Sequence, residues 1–306
     1  MKIVALAGGV GGAKLAHGLA LALDPQDLTV IVNTGDDFWH YGLYICPDLD
    51  TVCYNLAGIN NLETGWGRAD ESWAFFEELQ RLGGETWFRL GDRDLATHHE
   101  RTRRLHHGEP LSSVTRDLCQ TWGVQPTVLP ATDDWVPTIV HTDQGQLAFQ
   151  DYFVARRCEP VVSGFHFQNA ERAVPAPGVL EAIQTADAVV ICPSNPWVSI
   201  DPILSIPGVR DALVDKLVMA VSPIIGGQAV KGPAAKMYRE LGIEPTAAAV
   251  AAHYQSLVKI FVLDEVDKSL TDIIPMETLV TQTLMKMNED RLYLANQIME
   301  RIRQDA

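Results

Sequence analysis

The chain opens with two short apolar runs, Ile3–Ala7 and Leu28–Val32, the second rich in Val and Ile and broken only by Thr29, joined by GGVGGAK and a further apolar stretch, Ala13–Leu23. A segment with no polar face has no side to turn to water. The two runs therefore read as strands buried on both faces, as in a parallel sheet covered by helices. Parallel neighbours need a crossover, and Ala13–Leu23 supplies it as a buried helix. Strand, glycine turn, helix and strand make a βαβ unit, which commits the chain to an α/β fold.

The same grammar returns late. Ala186–Trp197, Lys216–Gly227 and Val258–Asp264 each hold a buried strand, with helices predicted over Pro233–Leu241 and Pro245–Leu257. Asn288–Ile302 places apolar residues at 292, 295, 298, 299 and 302, which is helical spacing. The middle differs. From Asn60 to Gly123 the patterns are helical, with Asp70 placed to cap a helix whose Trp73, Phe76 and Leu79 share a face. From Thr127 to Phe167 the runs are short and read as strands. The expectation is one α/β domain over residues 1–306: a Rossmann-like, mostly parallel core from 1–59 and 185–306, with a largely helical insertion over 60–184.

Composition narrows the function. A formal net charge of −15 argues against non-specific nucleic-acid binding, which needs a basic footprint. No apolar run reaches the roughly 18 residues of a membrane helix, and the amino terminus reads as a strand, not a signal peptide. The five cysteines are odd in number and include no C-x-x-C pair, so a reduced, cytoplasmic protein without a zinc site is expected.

Two segments carry the chemistry. GGVGGAKLA, Gly8–Ala16, puts glycines where a first strand meets a helix, so that backbone N–H groups and the helix dipole can face an anion. Its spacing is neither the dinucleotide fingerprint nor the P-loop. NTGDD, Asn33–Asp37, ends the second strand, at the edge of an α/β sheet where ligands bind. PDLD, Pro47–Asp50, follows closely enough to fold back beside it. Four aspartates so placed suit a divalent cation with hard oxygen ligands, although Asp48 or Asp50 would also serve as a helix cap.

Three further loops are candidates. RLGDRDLATH, Arg89–His98, is an ion-paired turn or a ligand loop. CPSNPWVSI, Cys192–Ile200, could read a base edge or ribose, and Lys231 stands before a second helix start. The pairs His98-His99 and His106-His107 lack cysteine or H-E-x-x-H company and are expected on a helix face, not on a metal.

Taken in order, GGVGGAKLA, VNTGDDFWHYGLYICPDLDTVCYNLAG, GWGRADESW, WFRLGDRDLATH, PSNPWVSI and GGQAVKGPAAKM resemble the 2-phospho-lactate transferase family of coenzyme F420 biosynthesis over nearly the whole chain. The resemblance implies a homodimer and a Mg2+-dependent transfer. The donor would be a guanosine diphosphate ester of phospholactate or phosphoenolpyruvate, and the acceptor the deazaflavin FO. The ribityl hydroxyl of FO attacks the distal phosphorus, and GMP leaves. On that implication Asp36 and Asp50 are the leading metal ligands, and Asp37 or Asp48 orients or deprotonates the hydroxyl. Gly9, Val10, Gly11, Gly12 and Lys14, with Lys231, face the phosphates; Asn33 and Thr34 line the site; Ser194 and Asn195 meet the guanosine. Trp87, with Trp66 beside it, and the Gly91, Asp92 and Arg93 loop wall the deazaflavin. The alternative is a non-catalytic, nucleotide-sugar-binding regulator with a similar glycine turn.

Overall fold

Along strand β1 (Ile3–Ala7) side chains alternate between two apolar layers, with Val4 and Leu6 in one and Ile3, Ala5 and Ala7 in the other. Strand β2 (Leu28–Val32) repeats this, Ile31 opposing Leu28, Val30 and Val32. Burial on both faces is what the predominantly apolar runs lead one to expect. The computed structural model describes residues 1–305. Five more strands complete the sheet: β3 (Thr127–Pro130), β4 (Ala188–Ile191), β5 (Leu217–Val221), β6 (Ile260–Leu263) and β7 (Glu277–Val280). All seven run parallel in the order β7-β6-β5-β4-β1-β2-β3. The chain direction across the sheet reverses between β1 and β4, and the crevice beyond their carboxyl ends is the switch point where such sheets take ligands.

The segment expected as an insertion is not wholly separate. It donates β3, which pairs with β2 at the sheet edge from Thr29↔Thr127 to Val32↔Pro130. Its other strands, Thr138–Thr142, Gly145–Ala148 and Val162–Phe167, form a small antiparallel sheet. The first helix, α1 (Gly9–Ala22), begins at Gly9 and not at Ala13, so the glycines form its first turn. It is also less enclosed than its sequence suggests, since Leu21 remains 50% exposed.

Helix α2 (Pro47–Ala57) carries Asp48 and Asp50 in its first turn. Helices α3 (Ala74–Arg81), α4 (Asp92–His106) and α5 (Leu111–Thr121) follow. Asp70 does not cap α3. Its φ is +53°, and Asp92 takes the role, accepting from the Ala74 and Phe75 amides at 3.0 and 3.1 Å and from the Ser72 hydroxyl at 2.6 Å. Glu71 answers by accepting from the Arg93 and Asp94 amides at 2.7 and 2.8 Å, so each helix is capped from the other's lead-in.

Helix α1 lies between α2 and the carboxyl-terminal helix Asn288–Asp305. A Cβ at Gly18 would stand 2.3 Å from the Arg291 carbonyl oxygen, so the two helices meet backbone to backbone there. Gly18→Ala should therefore lower the unfolding free energy by about 1–3 kcal/mol, despite alanine's better helix propensity. Urea denaturation checks this, and an unshifted midpoint would mean the helices separate without cost.

Candidate active site

Three loops converge at the switch point because Gly8, Gly11 and Gly12 carry no side chains where the loops meet. A Cβ at Gly11 would fall 2.3 Å from the Pro193 carbonyl oxygen, and one at Gly12 would fall 2.4 Å from Ser194 Oγ. One at Gly8 would fall 2.4 Å from Asp48 Oδ2. The close approach the glycines permit is thus first to the protein itself. Ser194 Oγ accepts from the Gly8 amide at 3.1 Å and donates to the Gly8 carbonyl at 2.8 Å. Asn195 accepts from the Trp197 amide at 3.1 Å and donates to Met237 Sδ at 3.3 Å. Both residues, expected to meet guanosine, instead have their polar groups engaged in fixing the loop.

Beside the turn lies the acid. Asn33 organises it: its side-chain amide donates to Asp48 Oδ2 at 2.9 Å, to the Val198 carbonyl at 3.1 Å and, at 3.5 Å, to Asp36 Oδ1. Its oxygen accepts from the Gly35 amide at 2.8 Å. Asp36 Oδ2 accepts from the Asp48 amide at 3.2 Å and from Gln150 at 3.4 Å. Burial pushes the Asp36 carboxyl well above the usual carboxylate range, and the neighbouring Asp48 and Asp37 charges push it further. Asp48 is raised too, chiefly by burial, with Asn33 and the Gly9 backbone pulling the other way. Asp37 is 2% exposed, and no hydrogen bond reaches either carboxylate oxygen. Burial raises it well above its ordinary value, against the pull of the Cys46 thiol and the Arg101 guanidinium.

Asp50, expected to ligate metal with Asp36, belongs to a different network. Fully buried Arg101 donates to both of its oxygens, one at 3.0 Å and the other in a closer ion pair. His98 lies 3.6 Å from Asp50 and 3.4 Å from Asp94, and the Tyr54 hydroxyl donates to Asp94 at 2.7 Å. Asp50, Asp94 and His98 are spaced closely enough to hold a cation. A guanidinium already pairs with Asp50, so the three sit within a buried ion-paired network. Asp94, His98 and Arg101 stand on one face of α4 at i, i+4 and i+7, a signal present in the sequence and not used.

Asp36 and Asp48, joined through the Asn33 amide, have the chemistry magnesium takes: their donors are hard carboxylate oxygens, and a cation beside them would relieve the repulsion that helps raise the Asp36 pKa.

Positive charge sits on the other side of the turn. Lys14 donates to the Met285 carbonyl at 2.7 Å. Burial lowers its pKa first, then the Arg291 and Lys231 charges nearby. Exposed Lys231 donates to the Thr64 carbonyl, and a Cβ at Gly65 would stand 2.7 Å from Lys231 Nζ and 2.9 Å from Val10 Cγ1. Loop 61–67 therefore rests over the first turn of α1. Thr34 is buried, and its carbonyl accepts from the Asp37 amide at 3.3 Å, closing the turn.

Trp87, Gly91 and Asp92, expected to wall the deazaflavin, each have partners within the protein. Trp87 packs edge-on to His40 at 4.8 Å and beside Phe38 and Phe88, inside a protein aromatic cluster. Gly91 exists for the cap: a Cβ would stand 2.2 Å from Glu71 Cδ. Asp92 is the α3 cap already described, and only the exposed Arg93 side chain of that loop is unengaged among the described residues.

A doubly wound parallel sheet with a glycine turn, buried carboxylates and lysines at its switch point defines an α/β protein built to hold an anionic ligand. The family model "2-phospho-L-lactate transferase CofD" matches residues 3–302, and the chain belongs to that family of transferases. It is 50% identical over 275 residues to a phosphoenolpyruvate transferase of Streptomyces griseus, covering 87% of this chain and 86% of that one. It is 48% identical over 281 residues to the phosphoenolpyruvate transferase of Thermobifida fusca, covering 87% of each. A 2-phospho-L-lactate transferase of Methanocaldococcus jannaschii is 39% identical over 302 residues, 97% of each chain. Among solved structures, a UPF0052-family protein from Bacillus halodurans superposes with TM-score 0.64 at 14% identity over 97% of this chain and 98% of that one, which is a likeness of fold. Among the described residues no helix is long and apolar enough to cross a membrane.

The raised carboxyls make stability depend on pH with a definite sign. A carboxyl whose folded pKa exceeds its unfolded value takes up a proton on folding, so stability falls as pH rises through the raised value. Metal-free protein should lose stability as pH rises from the ordinary carboxylate range toward the raised value. Asp36→Asn should flatten the slope by up to about 1.4 kcal/mol per pH unit, one proton's share. Thermal unfolding in chelator measures this, and a variant that keeps the full slope would show Asp36 ionised as usual.

Proposed function

We propose that this protein transfers a phosphoenolpyruvyl or phospholactyl group from a guanosine diphosphate ester to the ribityl hydroxyl of FO, releasing GMP, in coenzyme F420 biosynthesis. The observation that carries this reading is the row of buried carboxylates Asp48, Asp36 and Asp37, set directly beside the glycine turn at the switch point. Family membership supports the reaction class, and the names of the Streptomyces and Thermobifida relatives favour the enolpyruvyl donor.

Phosphoryl transfer rests on positioning and on neutralising charge. Mg2+ held by Asp36 and Asp48 would screen the donor diphosphate. Asn33 fixes both carboxylates through its side-chain amide. The first turn of α1, at Gly9 to Gly12, presents N–H groups and the positive end of its dipole to the phosphates. Lys14 and Lys231 add cationic charge beside it. Asp37, buried and without a hydrogen-bond partner, takes the proton of the ribityl hydroxyl as its oxygen attacks the distal phosphorus. The bond from that phosphorus to the bridging oxygen breaks, and the electron pair leaves with GMP. A cytoplasmic homodimer completes the proposal, and sedimentation would test the dimer.

Incubation with FO, Mg2+ and each donor, followed by mass spectrometry, tests the reading. A product heavier than FO by the transferred group is expected, with the enolpyruvyl donor favoured. Asp37→Asn should slow turnover by about 10²–10⁴-fold with guanine-nucleotide affinity intact. Tight nucleotide binding with no product from any donor would point instead to a sensor.

A further inference from the structure

The small antiparallel sheet carries two histidines that the transfer chemistry does not use. Its middle strand, Thr138–Thr142, pairs with Gly145–Ala148 on one side and Val162–Phe167 on the other. Side chains alternate between the faces. Val140, Leu147 and Phe165 turn inward, into the cluster that holds Tyr152, Val198 and Met237. The other face carries His141 on the middle strand and His166 on its neighbour, where His166 pairs with Ile139. Diagonal neighbours of this kind are within reach of long side chains. His141 Nε2 lies 2.6 Å from His166 Nδ1, with the ring centroids 4.8 Å apart and the planes at 90°.

Two ring nitrogens that meet so closely share one proton at most, so at least one of them presents a lone pair. Neither ring is committed to an acid: among the described residues the histidines that pair with carboxylates are His98 and His253. The face beside them is open. Gly164 stands opposite His141, and a Cβ there would meet nothing within 4 Å; Gln146, opposite His141 on the other strand, is exposed. With metal–nitrogen bonds of about 2.0–2.1 Å, adjacent ligand nitrogens lie about 3 Å apart, so the rings need part by less than about 1 Å to admit an ion. Imidazole suits borderline transition ions, whereas the all-oxygen donors of Asp36 and Asp48 suit Mg2+, so the two sets sort different metals. They are also apart in space. The middle strand begins at Thr138, whose amide donates to the Gly35 carbonyl at 2.7 Å beside the aspartates, and His141 lies three residues further on, roughly 10 Å along the strand. Asp50, Asp94 and His98 are spaced closely enough for an ion but already have the Arg101 guanidinium on Asp50.

We propose that His141 and His166 form a second metal site, for a borderline divalent transition ion of the Zn2+, Ni2+ and Cu2+ class, which clamps the middle strand of the small sheet to Val162–Phe167. Each ring gives the ion one nitrogen, and water completes its shell on the open side. The site stands apart from the transfer reaction proposed above and needs neither FO nor a nucleotide.

Titration with Cu2+ in excess Mg2+, followed by electron paramagnetic resonance, tests this. The unaltered protein should bind one Cu2+ per chain ahead of any other, with splitting from two nitrogens. His141→Gln and His166→Gln should each weaken that binding by about tenfold or more, since even groups that only support a ligand matter on that scale. Both positions are half-buried on an open face, and glutamine keeps a polar side chain there; circular dichroism checks that each variant is folded. Zn2+ should raise the Tm of the unaltered protein by mass action and leave that of both variants unmoved. A first Cu2+ bound as tightly by both variants as by the unaltered protein, or one without two-nitrogen splitting, would overturn the site. A Zn2+-induced rise in Tm that both variants keep would place the ion elsewhere and overturn it equally.

Discussion

The contact on which the ligand edge depends is the approach of the Gly8–Gly12 backbone to Pro193, Ser194 and Asp48, at distances no side chain could survive. It brings the loops after β1 and β4 together across the switch point and sets the first turn of α1 against the start of α2. Asp48 then lies beside Gly8, and Asn33 reaches both Asp48 and Asp36. A methyl group at Gly8, Gly11 or Gly12 would part these loops, and the carboxylates would lose their common centre. The glycines therefore act on the ligand through the protein they let close.

The same packing creates an electrostatic problem. Four carboxylates lie buried within one strand end and one helix turn. One of them, Asp50, is neutralised internally by Arg101 from α4. Replacing such a pair by neutral groups is often tolerated, whereas removing one partner is costly. Asp37 feels the same guanidinium, whereas Asp36 and Asp48 have no cation partner among the described residues. Their raised pKa values express that deficit, and a bound cation would relieve it. The division between an aspartate neutralised from within and two that lack a counter-charge separates framework from chemistry.

Much of the architecture was legible because its causes are local. The short apolar runs at Ile3–Ala7 and Leu28–Val32, the second with only Thr29 polar, read as strands covered on both faces. The position of NTGDD at a strand end places it at the ligand edge in any parallel sheet. What escaped were pairings between distant segments. Thr127–Pro130 reads as a strand, but nothing local says that it joins β2. Ser194, Asn195, Gly91 and Asp92 have loop and cap contacts that the sequence did not announce, because Ser, Asn, Gly and Asp serve as caps and turn residues as readily as they meet ligands. Asp70 and Asp92 are equally plausible caps until the fold brings α3 and α4 together. The periodicity of Asp94, His98 and Arg101 was visible, yet their partner Asp50 lies 51 residues from Arg101.

The central claim is that Asp36 and Asp48 hold the cation while Asp50 is structural. Titration of Mn2+ in the presence of a guanosine diphosphate, followed by electron paramagnetic resonance, tests it directly. Asp36→Asn and Asp48→Asn should each abolish or sharply weaken the bound signal, and the double variant Asp50→Asn, Arg101→Met should keep it. Loss of Mn2+ by that double variant, with full binding retained by Asp36→Asn and Asp48→Asn, would contradict the account.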